Sequence, residues 1–218
     1  MGDRFDTLRT QLTRFNVYFQ TDCNREEIAH IDNRSSPSSL VEVFYSEGYG
    51  GFPEESDAGF IPPSPNNFAN EFYYRNHEAG GVDFTSEYRE AWRKRALRAW
   101  PSLVRDVAFV FTATEMDVFD AVCYSIERDV KDGIDCIVEL DGETYYLDLS
   151  VDTSRSNFYL ERKRTYRDHD ESHPHIDVQL DLQNHPDAIT VGTQGADLFL
   201  YGEPHVQSVV DKIRSGSF

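Results

Sequence analysis

Between residues 133 and 152 apolar and polar positions alternate on either side of an Asp141-Gly142 pair. GIDCIVEL (133–140) and ETYYLDLSVD (143–152) therefore read as the strands of a hairpin, since strand side chains point alternately to opposite faces and Asp-Gly suits a tight turn. IDVQLDL (176–182) alternates strictly and reads as a half-exposed strand. FDAVCYS (119–125), AITV (188–191) and ADLFLYG (196–202) are shorter strand signals, and SLVEVFYS (39–46) also reads as a strand.

Elsewhere the period is helical. Phe5, Leu8, Leu12 and Phe15 share one helical face within 4–19, and Leu103, Val107, Val110 and Phe111 share another within 102–115. Residues 86–99 predict a helix opened by Thr85 or Ser86, with Tyr88, Trp92 and Leu97 inward. Pro101 is expected to start a new helix, because proline suits a first turn. Residues 154–165 are helical in composition, and Glu203-Pro204 opens a helix with Val206, Val209, Val210 and Ile213 on one face. Residues 47–70 carry Gly48, Gly50, Gly51, Pro53, Pro62, Pro63 and Pro65, which predicts a loop. A loop of that length is expected to be a functional arm, an oligomer contact or a mobile linker. The order predicts an α+β (or α/β) fold, a mixed central sheet with helices on its faces. Residues 86–218 form the expected core domain, and 1–85 an N-terminal extension of helix, strand and arm.

Charge changes this picture. The 218 residues hold 21 Lys plus Arg against 39 Asp plus Glu, a net charge of −18. Four of the cations are lysines and 22 of the acids are aspartates. That balance is similar to proteins of salt-accumulating halophilic archaea and their viruses, where molar salt shrinks the Debye length to about 3 Å and screens self-repulsion. An aromatic content of 13% excludes wholesale disorder. No apolar run reaches the roughly 18 residues of a membrane span, so no membrane partner is expected. MGDRFDTLRTQLTRF contains no apolar signal core, and three cysteines (Cys23, Cys123, Cys136) make no disulfide framework. An intracellular, cytoplasmic or virion-associated setting is the expectation.

The cations are clustered. Arg89, Arg93, Lys94, Arg95 and Arg98 lie within 89–98, and Arg155, Arg162, Lys163, Arg164 and Arg167 within 155–167. These two islands, laced with Trp92, Phe158, Tyr159 and Tyr166, are candidate grips for nucleic-acid phosphates. In the second hairpin strand Tyr146, Asp148, Ser150 and Asp152 share one face, and Leu147, Leu149 and Val151 the other. With the aliphatic face packed inward, Asp148 is left on a solvated or cleft-lining side. Asp135, at the head of the first strand, and Asp148 can then converge on one divalent cation, whose ligands are carboxylates and waters.

This arrangement resembles the PD-(D/E)XK, or restriction-endonuclease-like, nuclease superfamily over residues 101–202. That family's core is a helix, a three-stranded meander, a helix and a further strand, with its metal acids on neighbouring meander strands. The resemblance implies Asp135 and Asp148 as ligands of Mg²⁺ (or Mn²⁺), with Glu127, or a glutamate of the preceding helix such as Glu115, as an accessory acid. The family's lysine follows the second acid by two positions, where this chain has Ser150. Lys163, beside Arg162, is then the cation that would polarise the water or the scissile phosphate. The expected activity is DNA phosphodiester hydrolysis. The alternative is a non-enzymatic interaction or viral assembly protein on a degenerate copy of the fold, with a protein partner or a homo-oligomer contact at 47–70.

Other signals carry less. His169, Asp170, Glu171, His173, His175 and Asp177 crowd together, but around Pro174 and without a cysteine pair, so a solvated loop is expected, or a rim touching substrate. The cysteines read as buried structural thiols, and Trp92 and Trp100 as packing anchors. The chain has no G-x-S-x-G elbow, P-loop or G-x-G-x-x-G turn.

Overall fold

The computed structural model describes residues 3–17, 39–50, 59–80, 86–152, 172–182 and 186–218. Its elements are α1 (Asp3–Leu12), α2 (Leu40–Glu47), α3 (Pro65–Gly80), α4 (Ser86–Met116), β1 (Ala121–Cys123) and α5 (Ile126–Asp132). These are followed by β2 (Cys136–Leu140), β3 (Glu143–Asp152), β4 (His175–Asp181), β5 (Ile189–Gly192), β6 (Asp197–Leu200) and α6 (Glu203–Ser215). The fold is α+β, with helices around a mixed four-stranded sheet of order β1-β2-β3-β4 and a separate β5-β6 pair.

β1, β2 and β3 form an antiparallel meander, and β4 runs parallel to β3. The β2–β3 turn follows directly from its residues. Leu140 pairs with Glu143, and Asp141 and Gly142 both take positive φ, 55° and 79°, the mirror-image turn whose twist matches the strands. The pleat then sorts the side chains. Cys136, Val138, Leu140, Leu147, Ile176, Val178 and Leu180 are buried on one face of the sheet. Asp148, Ser150, His175, Asp177 and Gln179 belong to the other.

The centre of the molecule is α4. From Pro101 to Ala113 every residue but Ser102 is buried, so this helix meets protein on all sides. It packs against α1, α2, α3, β1, β6 and α6. Side chains from both sides of residue 85 share one hydrophobic core: Phe5, Leu8, Phe44, Phe68 and Phe72 join Val107, Phe109, Leu147 and Val210.

Three local expectations are corrected. Where a strand is expected over 39–46, Leu40–Glu47 is a helix capped by Ser39. Ser39 Oγ accepts from Glu42 N at 3.0 Å while Glu42 returns a bond to Ser39 N at 2.8 Å, a reciprocal cap that starts α2 before strand alternation can matter. The loop expected over 47–70 ends early, because Pro65 opens α3 and Ser64 Oγ takes the Asn67 N–H. Residues 51–58 lie outside the described residues, and 59–63 pack inward, with Phe60 buried and Pro63 O accepting from Trp100 Nε1 at 2.8 Å. Pro101 begins no new helix but lies inside α4. Proline removes the donor for the carbonyl four residues back. Burial on either side, at Trp92, Ala96, Trp100 and Val104, keeps the helix continuous. The helix expected over 154–165 lies outside the described residues. Both tryptophans are packing anchors, as expected.

Trp100 is fully buried, sets its ring edge-on to Phe15 at 5.9 Å, and ties α4 to Pro63. Trp100→Ala should cost about 3–5 kcal/mol in urea unfolding. Trp100→Phe should cost less, and retain a penalty of about 1 kcal/mol from the Pro63 carbonyl left without its donor.

Candidate functional site

α5 delivers the first acid. Ser125 caps its start by accepting the Arg128 N–H, and Gly133, at φ 66°, ends it in the left-handed turn that glycine adopts at little cost. From beneath, Tyr124 OH donates to Asp129 Oδ2 at 2.5 Å, and the Tyr124 ring stacks 4.6 Å from that of Tyr45 on α2. Burial pushes both phenols far above their ordinary range, so they act as neutral hydrogen-bonding groups. The chain leaving Gly133 reaches β3 at Asp135. There Asp135 N–H donates to Leu147 O at 3.1 Å, and Asp135 Oδ2 accepts from Leu149 N at 2.7 Å. Asp135 thus bonds to both chain neighbours of Asp148, which sets it beside Asp148 one residue ahead of β2.

Asp148 has further neighbours that the hairpin did not announce. It stands in register with Asp177 on β4, and its Oδ2 lies 3.3 Å from His175 Nδ1. Asp148, His175, Ile176, Asp177, Lys212, Ser217 and Phe218 line a cleft of about 450 Å³. Lys212, on the last turn of α6, donates from Nζ to Asp177 O at 2.6 Å. The expectation of a solvated loop over His169–Asp177 is corrected at its end, where β4 begins at His175, one residue ahead of the expected 176–182 strand; His169, Asp170 and Glu171 lie outside the described residues. Pro174 sits just ahead of β4, where a missing N–H costs no ladder bond, and its carbonyl accepts the Tyr146 N–H at 2.9 Å. The His173 and His175 rings meet the Tyr146 ring at 5.0 and 5.3 Å. His175 and Asp177 were within reach of the alternating pattern. Lys212 was not, because nothing local couples α6 to β4.

The remaining sequence candidates lie elsewhere. Glu127 pairs with Lys131 across one turn of α5 on its exposed side. That bond holds Glu127 below the usual carboxylate range and raises Lys131. Glu115 accepts the Phe5 N–H at 2.9 Å and so caps the start of α1. Arg89, Arg93, Lys94, Arg95 and Arg98 all fall on the first half of α4. The Arg89 guanidinium lies 5.4 and 5.9 Å from the Tyr73 and Tyr74 ring centres, and Arg93 is 3.8 Å from Glu90. Lys163, Arg155, Arg162, Arg164 and Arg167 lie outside the described residues. Ser150 is in place two residues after Asp148, its Oγ buried without a hydrogen bond among the described residues. Cys136 is buried and its thiol pushed well up by that burial, which suits a structural role, whereas Cys123 is exposed.

Among the described residues no group of three or more His, Cys, Asp or Glu is gathered as a metal cluster, and no helix is long and apolar enough to cross a membrane. Comparison with family models, curated proteins and solved structures returned no match.

Beside this cleft, His205 Nδ1 accepts the Gly202 N–H at 3.1 Å and caps the start of α6. Burial lowers its basicity, so the folded protein holds the neutral ring more strongly than the unfolded chain does. The unfolded chain then binds the extra proton first, and this contribution, complete above about pH 6.5, is lost as pH falls below it. Denaturant midpoints should therefore decline from about pH 6.5 downward. His205→Gln, whose amide oxygen can still accept the Gly202 N–H, should flatten that part of the profile.

Proposed function

We propose that this chain is a nuclease-like protein acting on the phosphodiester backbone of DNA at the cleft beside Asp148. One observation carries the reading: an antiparallel meander, continued by a strand parallel to its last member, has Asp148 on the wall of a cleft, and Asp135, just ahead of β2, bonded to the backbone on either side of Asp148. This is the strand arrangement and acid placement that the resemblance to the PD-(D/E)XK superfamily implies. The cations on the first half of α4 supply a second, sequence-independent contact for phosphates.

The donor chemistry fits a hard cation. Mg²⁺ is bound through one or two carboxylates with waters completing its shell, so a pair of aspartates is a sufficient protein contribution. A carboxylate has about four lone-pair sites, so Asp135 can accept the Leu149 N–H and still serve as a ligand. When bound, Mg²⁺ or Mn²⁺ would lower the pKa of a water and offset phosphate charge. Asp135 and Asp148 would hold it, and the Leu149 N–H would keep the Asp135 carboxylate turned toward β3. Hydrolysis would join the water oxygen to phosphorus and break the ester P–O bond, the leaving sugar oxygen taking up a proton to become a hydroxyl while the water's proton passes to solvent.

A second reading, a binding or assembly protein on the same fold, is favoured by Ser150, which leaves the strand without the family's lysine. The two readings differ in one assay. Supercoiled and single-stranded DNA are incubated with Mg²⁺ or Mn²⁺ across roughly 0.1 to 3 M KCl, a range over which screening changes fully. The nuclease reading expects cleavage, lost by at least about a hundredfold in Asp148→Asn and in Asp135→Asn. Asparagine is the substitution of choice at 135, since alanine would strand the Leu149 N–H at a cost of about 1–3 kcal/mol. Cleavage retained in both folded variants would rule the site out. Absence of cleavage by the folded wild-type chain at every salt would favour the binding reading.

A further inference from the structure

The resemblance implies a cation close to the second acid, and the strand offers Ser150 instead. Lys131 is engaged by Glu127 on the outside of α5, and Lys163 lies outside the described residues. Lys212 is the only lysine or arginine among the described residues lining the cleft that holds Asp148. We propose that Lys212 is the phosphate-contacting cation of this cleft, brought by α6 to the β4 edge to meet the charge of a nucleic-acid phosphate beside Asp148. The inference rests on the nuclease-like reading of the cleft and adds a substrate-binding residue from an element that reading did not use.

Three observations place it there. Asp177 is the register neighbour of Asp148, and neighbouring strands lie about 4.8 Å apart, so the anchor of Lys212 is one strand away from the acid. The anchor is firm, because Nζ donates to Asp177 O at 2.6 Å and α6 buries Val206, Val209, Val210 and Ile213. It is also incomplete: an ammonium has three donors, and this bond uses one of them, the only hydrogen bond the Lys212 side chain makes among the described residues. The same bond satisfies a carbonyl of the edge strand, which is a structural duty in its own right. A purely structural lysine would stop there. A position on the wall of the Asp148 cleft, with two N–H groups remaining, fits an anion as well.

The test uses the full chain and a short fluorescein-labelled single-stranded oligonucleotide, followed by anisotropy in Ca²⁺ and in EDTA. Lys212→Gln should weaken binding in Ca²⁺ by about fivefold or more, the size of one charged hydrogen bond. Lys212→Arg should stay within about twofold of wild type, since it keeps the charge. A second readout needs no variant: acetylation of the wild-type lysines, followed by mass spectrometry, should be slowed at Lys212 but not at Lys131 when the oligonucleotide is bound. Wild-type affinity in Lys212→Gln, or equal acetylation with and without oligonucleotide, overturns the proposal. If Asp148→Asn nonetheless abolishes the Ca²⁺ dependence, the nuclease-like reading survives and Lys212 only ties α6 to β4. Wild-type binding that is absent, or indifferent to both Ca²⁺ and Asp148→Asn, defeats that reading and this inference together.

Discussion

A helix buried around its whole circumference constrains everything near it, and α4 is such a helix between Pro101 and Ala113. It can hold that position only if its polar groups find partners, because an unpaired charge in a core is costly. Arg105 and Asp106 are the test, both buried in the middle of the helix. Arg105 Nε donates to Phe199 O at 2.9 Å and so fixes the β5-β6 pair against α4, while burial lowers its pKa. Burial, reinforced by the Asp106 charge, pushes Tyr45 and Tyr201 up, so the phenols around the helix stay neutral. Tyr201 then spends its hydroxyl on Ser150 O at 2.8 Å, which links the chain entering α6 to the middle of β3. The site strands are positioned by the same packing that solves the burial of α4.

That chain of support explains why the candidate site sits where it does. The buried sheet face is sealed toward the core by Cys136, Leu147, Ile176 and their neighbours. The opposite face must carry the polar set of each strand, and the register aligns those sets across β3 and β4. Asp148 meets Asp177 and His175 because of a parallel pairing, whereas Asp135 reaches β3 through the left-handed cap of α5. The two acids thus owe their neighbours to different physical causes, the antiparallel β2–β3 pairing that the cap of α5 leads into and the parallel β3–β4 pairing.

The first cause was legible in the sequence and the second was not. The hairpin announces itself through period-two alternation and Asp141-Gly142, and α6 through Val206, Val209, Val210 and Ile213, because both signals are local. The reading of 39–46 failed because LVEVFY is apolar enough for either period, and the Ser39–Glu42 reciprocal cap decides the matter. At Pro101 the proline rule was outweighed by burial of the helix on both sides. The neighbours of Asp148 on β4, and Lys212 beyond them, depend on which strand lies beside β3. A parallel partner is joined through a crossover, and no pattern within either strand names it. The fold class followed from element order, while the site needed the register.

The register also has an electrostatic consequence. On the polar face it sets Asp148 beside Asp177 and Asp152 beside Asp181. Like charges on adjacent strands are unfavourable, and in a chain of net charge −18 the surrounding field adds to the cost. A positive group brought to that edge lowers it. Lys212 stands at the Asp177 carbonyl, although lysines number only four in the chain, and His175 Nδ1 lies 3.3 Å from Asp148 Oδ2. A divalent cation between carboxylates would lower it further, and so would a high salt concentration. A phosphate would then approach an edge already carrying Lys212. The repulsion built into the sheet and the proposed binding of a cation and a phosphate in the cleft would then have one origin, the arrangement of the strands.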